Sequence, residues 1–252
     1  DYTNDLGVVH CSSDGKITSF NKDSGLVNDQ IRCTHVADDG SLLVGCNDGL
    51  AVIKDGKVIK CTGSQEGIAN PVFLTIDEFE GKIYAGSDGD GIYVFDGDKI
   101  TNIGRDDGLS SDVILRLKRD SEHGVLWIVT SNSIEYLKNG KITTVSTFPY
   151  NNNFDIHFGS DDAMWILSSY GVYCVKTTDM LNDTVADYKL YRTENGLPVT
   201  PTANAYSDTD TNGDLYISGR TGVARVNLNR YFEKISRLKT GIRSLKCDDE
   251  NR

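Results

Sequence analysis

Several features that mark membrane-spanning or nucleic-acid-binding proteins are missing from this sequence of 252 residues. It has no run of 18 apolar residues, so no segment is predicted to cross a membrane as a helix. Its 37 acidic residues outnumber 26 basic ones, and the formal charge of −11 opposes binding to phosphate backbones. Nucleic acid is therefore not expected as a partner. Segments with helical periodicity are nearly absent, and only residues 178–186 are predicted to hold a short helical turn.

Catalytic signatures are missing as well. The four histidines, at positions 10, 35, 123 and 157, fall in separate segments, and none belongs to an H-E-x-x-H motif. The sequence has no G-x-S-x-G elbow, P-loop or dinucleotide fingerprint. No catalytic residue, cofactor or enzymatic activity is predicted, and each histidine is interpreted as a turn or edge residue.

The six cysteines form no C-x-x-C pair and fall in different predicted strands. We interpret them as small apolar strand residues. Disulfides or a metal site are the alternative, with Cys11 and Cys61 as the pair to test.

A repeat of about 40 residues fills the chain. A glycine followed by an apolar residue opens units at Gly25, Gly67, Gly108 and Gly196, and Phe148 with Pro149 replaces this pair in the fourth unit. Each unit contains four short apolar runs separated by turn residues. Four-stranded antiparallel sheets repeated at this period predict an all-β fold, a β-propeller of four-stranded blades.

One position of the repeat is occupied mostly by a large ring. The runs GSLLVG, GKIYAG, GVLWIV, DAMWIL and GDLYIS align with each other, and the shared position holds Leu43, Tyr84, Trp127, Trp165 and Tyr216. Because both faces of a blade meet a neighbour, these side chains are predicted to fill the core between blades. A ligand platform is the alternative interpretation.

The pattern in residues 108–140, Gly-Leu-Ser-Ser followed by Gly-x-Leu-Trp-Ile, resembles the two-component regulator propeller repeat. Segments 25–58, 67–100, 148–176 and 196–227 resemble it more loosely. Leu43, Ser133 and the pair Phe148 and Pro149 depart from the pattern. The resemblance implies the sensor domain of a bacterial signalling receptor. It also implies that the longer unit around residues 173–198 carries an insertion and that residues 232–252 lead to an Ig-like sandwich.

The repeat divides the chain into a partial blade and five complete ones, followed by the tail. The boundaries are 1–24 for the partial blade, then 25–66, 67–107, 108–147, 148–195 and 196–231, with the tail at 232–252. The first unit holds only the last two strands of a blade. We therefore expect a fragment of a larger propeller, one with seven blades as the resemblance implies.

Two sets of loops are predicted to share one face of such a propeller, which we call the rim. The loops between blades are 28–30, 69–71, 110–112, 150–153 and 198–203, and those between second and third strands are 47–48, 88–90, 131–132, 169–170 and 220–221. Their Asn, Asp, Ser and aromatic side chains suit a polar ligand such as an oligosaccharide, although ordinary solvated turns have a similar composition. The candidate ligand-binding residues are Tyr150, Tyr170, Arg220, Asn132 and Asp112.

A calcium site is a further candidate. Asp208, Asp210 and Asn212 place side-chain oxygens at alternate positions, as the start of an EF-hand loop does. Gly219 occupies the position of the bidentate acid, and similar acidic turns occur in other units, so a plain turn is the alternative.

These observations favour a ligand-sensing, extracytoplasmic propeller. The resemblance implies a receptor with a histidine kinase or diguanylate cyclase output, which binds a carbohydrate or another polar nutrient, contacts further domains of the same receptor and forms a homodimer when complete. A lyase-like propeller enzyme and a protein-binding scaffold are the alternatives. The scattered histidines count against the enzyme, and the predicted sandwich counts against the scaffold.

Overall fold

The computed structural model describes residues 7–203 and 206–229, together with the backbone of β22 (Lys246–Cys247) and β23 (Glu250–Asn251), which pair with each other. The fold is an all-β propeller with five blades. A two-stranded hairpin of β1 (Val8–Cys11) and β2 (Ile17–Phe20) precedes them. This hairpin lies within residues 1–24, the segment for which a partial blade is predicted.

The first four blades are complete sheets of four antiparallel strands. Blade 1 consists of β3 (Ile31–Val36), β4 (Leu42–Cys46), β5 (Gly49–Lys54) and β6 (Lys57–Gly63). Blade 2 consists of β7 (Phe73–Phe79), β8 (Lys82–Ser87), β9 (Ile92–Asp96) and β10 (Lys99–Ile103). Blade 3 consists of β11 (Ile114–Asp120), β12 (Val125–Thr130), β13 (Ile134–Lys138) and β14 (Lys141–Thr144). Blade 4 consists of β15 (Asn153–Phe158), β16 (Ala163–Ser168), β17 (Gly171–Lys176) and β18 (Lys189–Tyr191).

Blade 5 has three described strands rather than the predicted four. They are β19 (Asp208–Thr209), β20 (Asp214–Gly219) and β21 (Gly222–Asn227). The position expected for its fourth strand lies outside the described residues. So does the predicted tail at 232–252, apart from the backbone of β22 and β23.

Each blade except the fourth is preceded by the same turn. Short 3-10 helices span Lys22–Ser24, Ser64–Glu66, Arg105–Asp107 and Thr193–Asn195. The glycine that follows each helix has a φ of 91° to 110°, a left-handed conformation that favours glycine. The next side chain is buried in every case, and Phe148 is buried at the same position of blade 4. The predicted opening of each unit is therefore confirmed, including its replacement in blade 4.

The predicted ring position lies in the second strand of every blade, and in blades 1 to 4 the residue there faces the following blade. Trp127 packs against Ile156 and Ile166 of blade 4, and Trp165 packs against Leu215 and Ile217 of blade 5. Leu43 and Tyr84 are buried in the same way against blades 2 and 3. The core prediction is confirmed for these four residues.

The same prediction is wrong for Tyr216, which is 39% exposed. Its position in the second strand matches the others, since it lies opposite Asp208 and Arg225 as Trp165 lies opposite His157 and Cys174. The difference is that no sixth blade follows among residues 206–229 to cover the ring.

The insertion in blade 4 forms the predicted helical turn, α1 (Thr177–Leu181). Met180 is fully buried in the core between blades 3 and 4, and the Tyr136 hydroxyl donates to the carbonyl oxygen of Leu181. The insertion therefore ties the outer part of blade 4 to blade 3.

The first strands of blades 1 to 4 lie side by side. Backbone N–H groups on the free edge of such a strand donate to side chains of the neighbouring blade. Leu117 N donates to Thr75 Oγ1 at 3.0 Å, and Arg119 N donates to Asp77 Oδ2 at 2.8 Å. Such pairing protects edges that would otherwise be open to strand addition.

Candidate ligand-binding site

Hydrogen bonds join the two sets of rim loops to each other. Asn28 Nδ2 donates to Asp48 Oδ2 at 2.6 Å, and Asn70 Nδ2 donates to the carbonyl oxygen of Asp88 at 2.7 Å. In blade 3 the hydroxyls of Ser111 and Ser131 lie 2.7 Å apart. The two sets therefore lie together, as the repeat predicts.

A cavity of about 360 Å³ lies at the rim between blades 3 and 4. The residues that line it carry no formal charge. They come from the loop between the second and third strands of blade 3 and its surroundings, and from the connection to blade 4. They are Asn132, Ser133, Ile134, Val145, Ser146, Phe148, Pro149, Tyr150 and Asn153. The volume lies near the lower end of the range for small-molecule sites.

Two of the predicted ligand-binding residues, Asn132 and Tyr150, line this cavity. Tyr150 is 40% exposed, and its hydroxyl donates to the carbonyl oxygen of Ser131. Asn132 is exposed, and its Nδ2 donates to the carbonyl oxygen of Ser110 at 3.1 Å. Each side chain is therefore held in place by a hydrogen bond while part of its surface remains exposed to solvent.

Asn153, the first residue of β15, lines the cavity but was not among the predicted residues. It is 1% exposed; its Nδ2 donates to the carbonyl oxygen of Pro149 at 3.3 Å, while its Oδ1 has no hydrogen-bond partner. A buried polar oxygen without a donor is costly. Asn153 ends the loop 150–153 that the repeat places at the rim, but asparagine is common in loops, so the sequence does not distinguish it from its neighbours.

Asp183 holds the connection that forms one wall of the cavity. Its Oδ1 accepts hydrogen bonds from Ser146 N and Thr147 N, both at 2.7 Å, and its carboxylate also accepts from both hydroxyls. Hydrogen bonds from the Ser146 hydroxyl and the Thr147 backbone, which favour the ionised form, lower the pKa of Asp183 to about 2. The insertion therefore positions the cavity wall.

The other three predicted ligand-binding residues lie elsewhere on the rim. Asp112 is half-buried, and its carbonyl oxygen accepts from Gly89 N and Gly91 N, so it joins blades 2 and 3. Tyr170 is 50% exposed, with the guanidinium carbon of Arg192 3.6 Å from its ring centre. Arg220 is exposed in the turn between β20 and β21. The structure does not bring these three into the cavity.

The candidate calcium residues form the turn before β20. Asp210 Oδ1 accepts from Asn212 N at 2.9 Å and from Asp214 N at 3.0 Å, and these contacts lower the pKa of the carboxyl. Asp208 Oδ1 accepts from Thr209 N at 2.8 Å. Across residues 7–203 and 206–229, no three His, Cys, Asp or Glu side chains are grouped as a metal site. The carboxylates therefore stabilise the turn itself, and calcium binding remains a prediction.

In residues 7–203, the cysteines Cys11, Cys33, Cys46, Cys61 and Cys174 are not joined by disulfide bonds. Cys33 is buried, and burial raises the pKa of its thiol to about 12. Cys61 Sγ donates to the carbonyl oxygen of Gly25 rather than bonding to Cys11. The interpretation as strand residues therefore fits these five positions.

Charged side chains meet at the centre of the propeller. Arg116 of β11 pairs with Asp155 of β15, and His157 Nε2 lies 3.4 Å from the same carboxylate. Burial opposes the ionisation of Asp155, but the charge of Arg116 and the interaction with His157 outweigh it and hold the pKa below its usual value. The Arg116 guanidinium carbon also lies 4.1 Å from the centre of the Tyr206 ring. This cluster joins blades 3, 4 and 5.

No family model matches the sequence, and no curated protein matches it. Among solved structures, the fold is similar to the extracellular domain of a protein assigned to the hybrid two-component systems of B. thetaiotaomicron, with a TM-score of 0.74 at 18% identity. That likeness covers 89% of this chain and 31% of the other. A second extracellular domain of this kind from the same organism has a TM-score of 0.66 at 13% identity, over 90% of this chain and 32% of the other.

The fold is therefore shared with part of each of these extracellular domains. It is also similar to virginiamycin B lyase from Staphylococcus aureus, with a TM-score of 0.60 at 19% identity over 83% of this chain and 69% of the lyase. This chain spans about a third of the length of the two extracellular domains. In the part of the chain that the structure describes, no helix is long and apolar enough to cross a membrane.

Proposed function

We propose that this chain is a ligand-sensing propeller of an extracytoplasmic signalling receptor. The observation that carries the proposal is the likeness to extracellular domains of two-component systems over 89% of the chain. It agrees with the resemblance of residues 108–140 to the two-component regulator propeller repeat. The whole receptor would add further blades, up to the seven of the expected propeller, and a sandwich domain. Its output would be a histidine kinase, with a diguanylate cyclase as the alternative, and the complete receptor would form a homodimer.

The ligand is proposed to be a carbohydrate or another polar nutrient that binds at the rim. The exposed rings of Tyr150 and Tyr170 provide stacking surfaces, and Asn132 provides an amide that can form hydrogen bonds. The net charge of −11 favours neutral over acidic ligands because like charges repel.

An enzyme is the second candidate, since the lyase shares the fold. The position of the histidines counts against it. His35, His123 and His157 pair with carboxylates of first strands or of the turn that follows them, and none of the three lines the cavity. We therefore propose a binding domain without catalytic activity.

A thermal-shift screen against neutral and acidic oligosaccharides tests this function. We expect at least one neutral oligosaccharide to raise Tm, because a ligand at 100 times its Kd stabilises the native state by about 2.7 kcal/mol. Chromatography of the same mixtures tests for turnover. Breakdown of any oligosaccharide would favour the enzyme, and a screen without any stabilising sugar would contradict carbohydrate sensing.

A further inference from the structure

We infer that the cavity between blades 3 and 4 binds a single uncharged, hydroxyl-bearing ring, such as one neutral pyranose unit, whose hydroxyl donates a hydrogen bond to Asn153. This inference rests on the proposed function and specifies where and how a ligand is recognised.

The first support is the unpaired acceptor. Asn153 Oδ1 has no partner although the residue is 1% exposed and lines the cavity. Its Nδ2 is already used by the carbonyl oxygen of Pro149. A ligand that satisfies the amide oxygen must therefore carry a donor, and a hydroxyl is such a donor.

The second support is the composition of the walls. Ile134, Val145, Phe148 and Pro149 provide apolar surface, which suits the C–H face of a ring. Ser133 and Ser146 provide hydroxyls, and no lining residue carries a formal charge. A carboxylate or sulfate would lose its hydration in this cavity without gaining a cation, so acidic sugars are disfavoured.

The third support is the rigidity of the cavity wall. The connection from Val145 to Pro149 is fixed by the four hydrogen bonds that Asp183 accepts from Ser146 and Thr147. On its other side the Phe148 ring packs edge-on against Tyr173, with ring centres 5.2 Å apart. A wall that is already ordered loses little conformational freedom when a ligand binds.

The test uses the whole chain and a set of methyl pyranosides, namely the glucoside, galactoside, mannoside and xyloside, with methyl glucuronide as the charged comparison. Binding is measured by ligand-observed NMR titration at neutral pH. We expect at least one neutral glycoside to bind and the glucuronide to bind at least about tenfold more weakly, a difference that the absence of a cation in the cavity explains.

Two variants locate the site. Asn132→Trp places a bulky side chain at the exposed edge of the cavity and should abolish binding. Asn153→Ala removes the amide acceptor and should weaken binding at least about tenfold. Thr221→Trp is the matched control, because Thr221 is exposed in the corresponding loop of blade 5 and does not line the cavity. Circular dichroism establishes that each variant is folded.

Unchanged binding in folded Asn132→Trp would overturn this site and leave the proposed function intact. Equal affinity for the glucuronide would overturn the selection for a neutral ring. If no methyl pyranoside binds while a longer oligosaccharide raises Tm, the cavity assignment fails and the sensor survives. If neither a methyl pyranoside nor a longer oligosaccharide binds, both the cavity assignment and the proposed carbohydrate sensor fail.

Discussion

The guanidinium of Arg116 and the carboxylate of Asp155 form a two-point ion pair between the first strands of blades 3 and 4. Arg116 Nε lies 2.8 Å from Asp155 Oδ1, and Arg116 Nη2 lies 3.2 Å from Oδ2. The two side chains are only 11% and 3% exposed. Because both charges are removed from water, a substitution that removes only one of them leaves the other buried and unpaired, which is strongly destabilising.

Asp155→Ala should therefore destabilise the fold by about 3–5 kcal/mol, because Arg116 then remains buried without its counter-charge. The measurement is the free energy of unfolding in urea. The double variant Arg116→Met with Asp155→Leu is the control, and it should cost much less because both members of the ion pair are removed together. A single variant within about 1 kcal/mol of wild type would contradict the assignment.

Trp127→Ala and Trp165→Ala should each cost about 3–5 kcal/mol, the usual loss for a buried aromatic side chain. Both rings are buried between blades. Tyr216→Ala is the internal control at the same position of blade 5, where the ring is 39% exposed, and it should cost clearly less. If the three substitutions lowered the free energy of unfolding in urea by the same amount, the ring of Tyr216 would have to be buried in solution.

The contribution of Asp183 to stability should depend on pH. Its folded pKa of about 2 lies below the ordinary value of 3.8, so the stabilisation is complete above the unfolded pKa and is lost as the pH falls toward 2. The difference in Tm between wild type and Asp183→Asn should therefore be constant above about pH 5 and shrink steadily below pH 4. Other carboxyls titrate in both proteins, so they cancel in this comparison. A difference that persists unchanged at pH 2 would show that the charge is irrelevant.

Gly45→Ala should destabilise the interface of blades 1 and 2 by about 1–3 kcal/mol. An added Cβ would lie 2.5 Å from Cys33 Sγ and 3.1 Å from Phe73 Cβ. In a Cys33→Ala background the same change should cost less, because the closest contact is gone. Urea unfolding of the four proteins in this double-mutant cycle gives the coupling energy, and strict additivity would argue against the contact.

The sequence was sufficient for the blades because each is a local unit. Alternating side chains, left-handed glycines such as Gly108 and the ring at Trp127 repeat at a fixed period, and a strand contacts mainly the strand before and after it. Even the departure at Phe148 proved to be a replacement of one buried apolar residue by another.

The site was predicted less well because it depends on contacts between units. Asn132 and Tyr150 could be identified because the repeat places their loops at the rim. Asn153 lines the cavity, and Asp183 binds its wall, only because blade 4 packs against blade 3. The Arg116 and Asp155 pair joins residues 39 positions apart, and no local pattern distinguishes it from exposed charges. Tyr216 was assigned to the core because its sequence position repeats while its surroundings do not.

In blades 1 to 4 the large residue at the ring position is covered by the blade that comes after it in the chain, as Trp127 is by Ile156 and Ile166. Synthesis proceeds from the amino terminus, and domains tend to fold as they emerge. If the blades form in this order, we expect a nascent chain that has completed several blades to expose one such side chain to water, until the next blade covers it. The order of the repeats thus limits the apolar surface through which the growing polypeptide could aggregate with other chains.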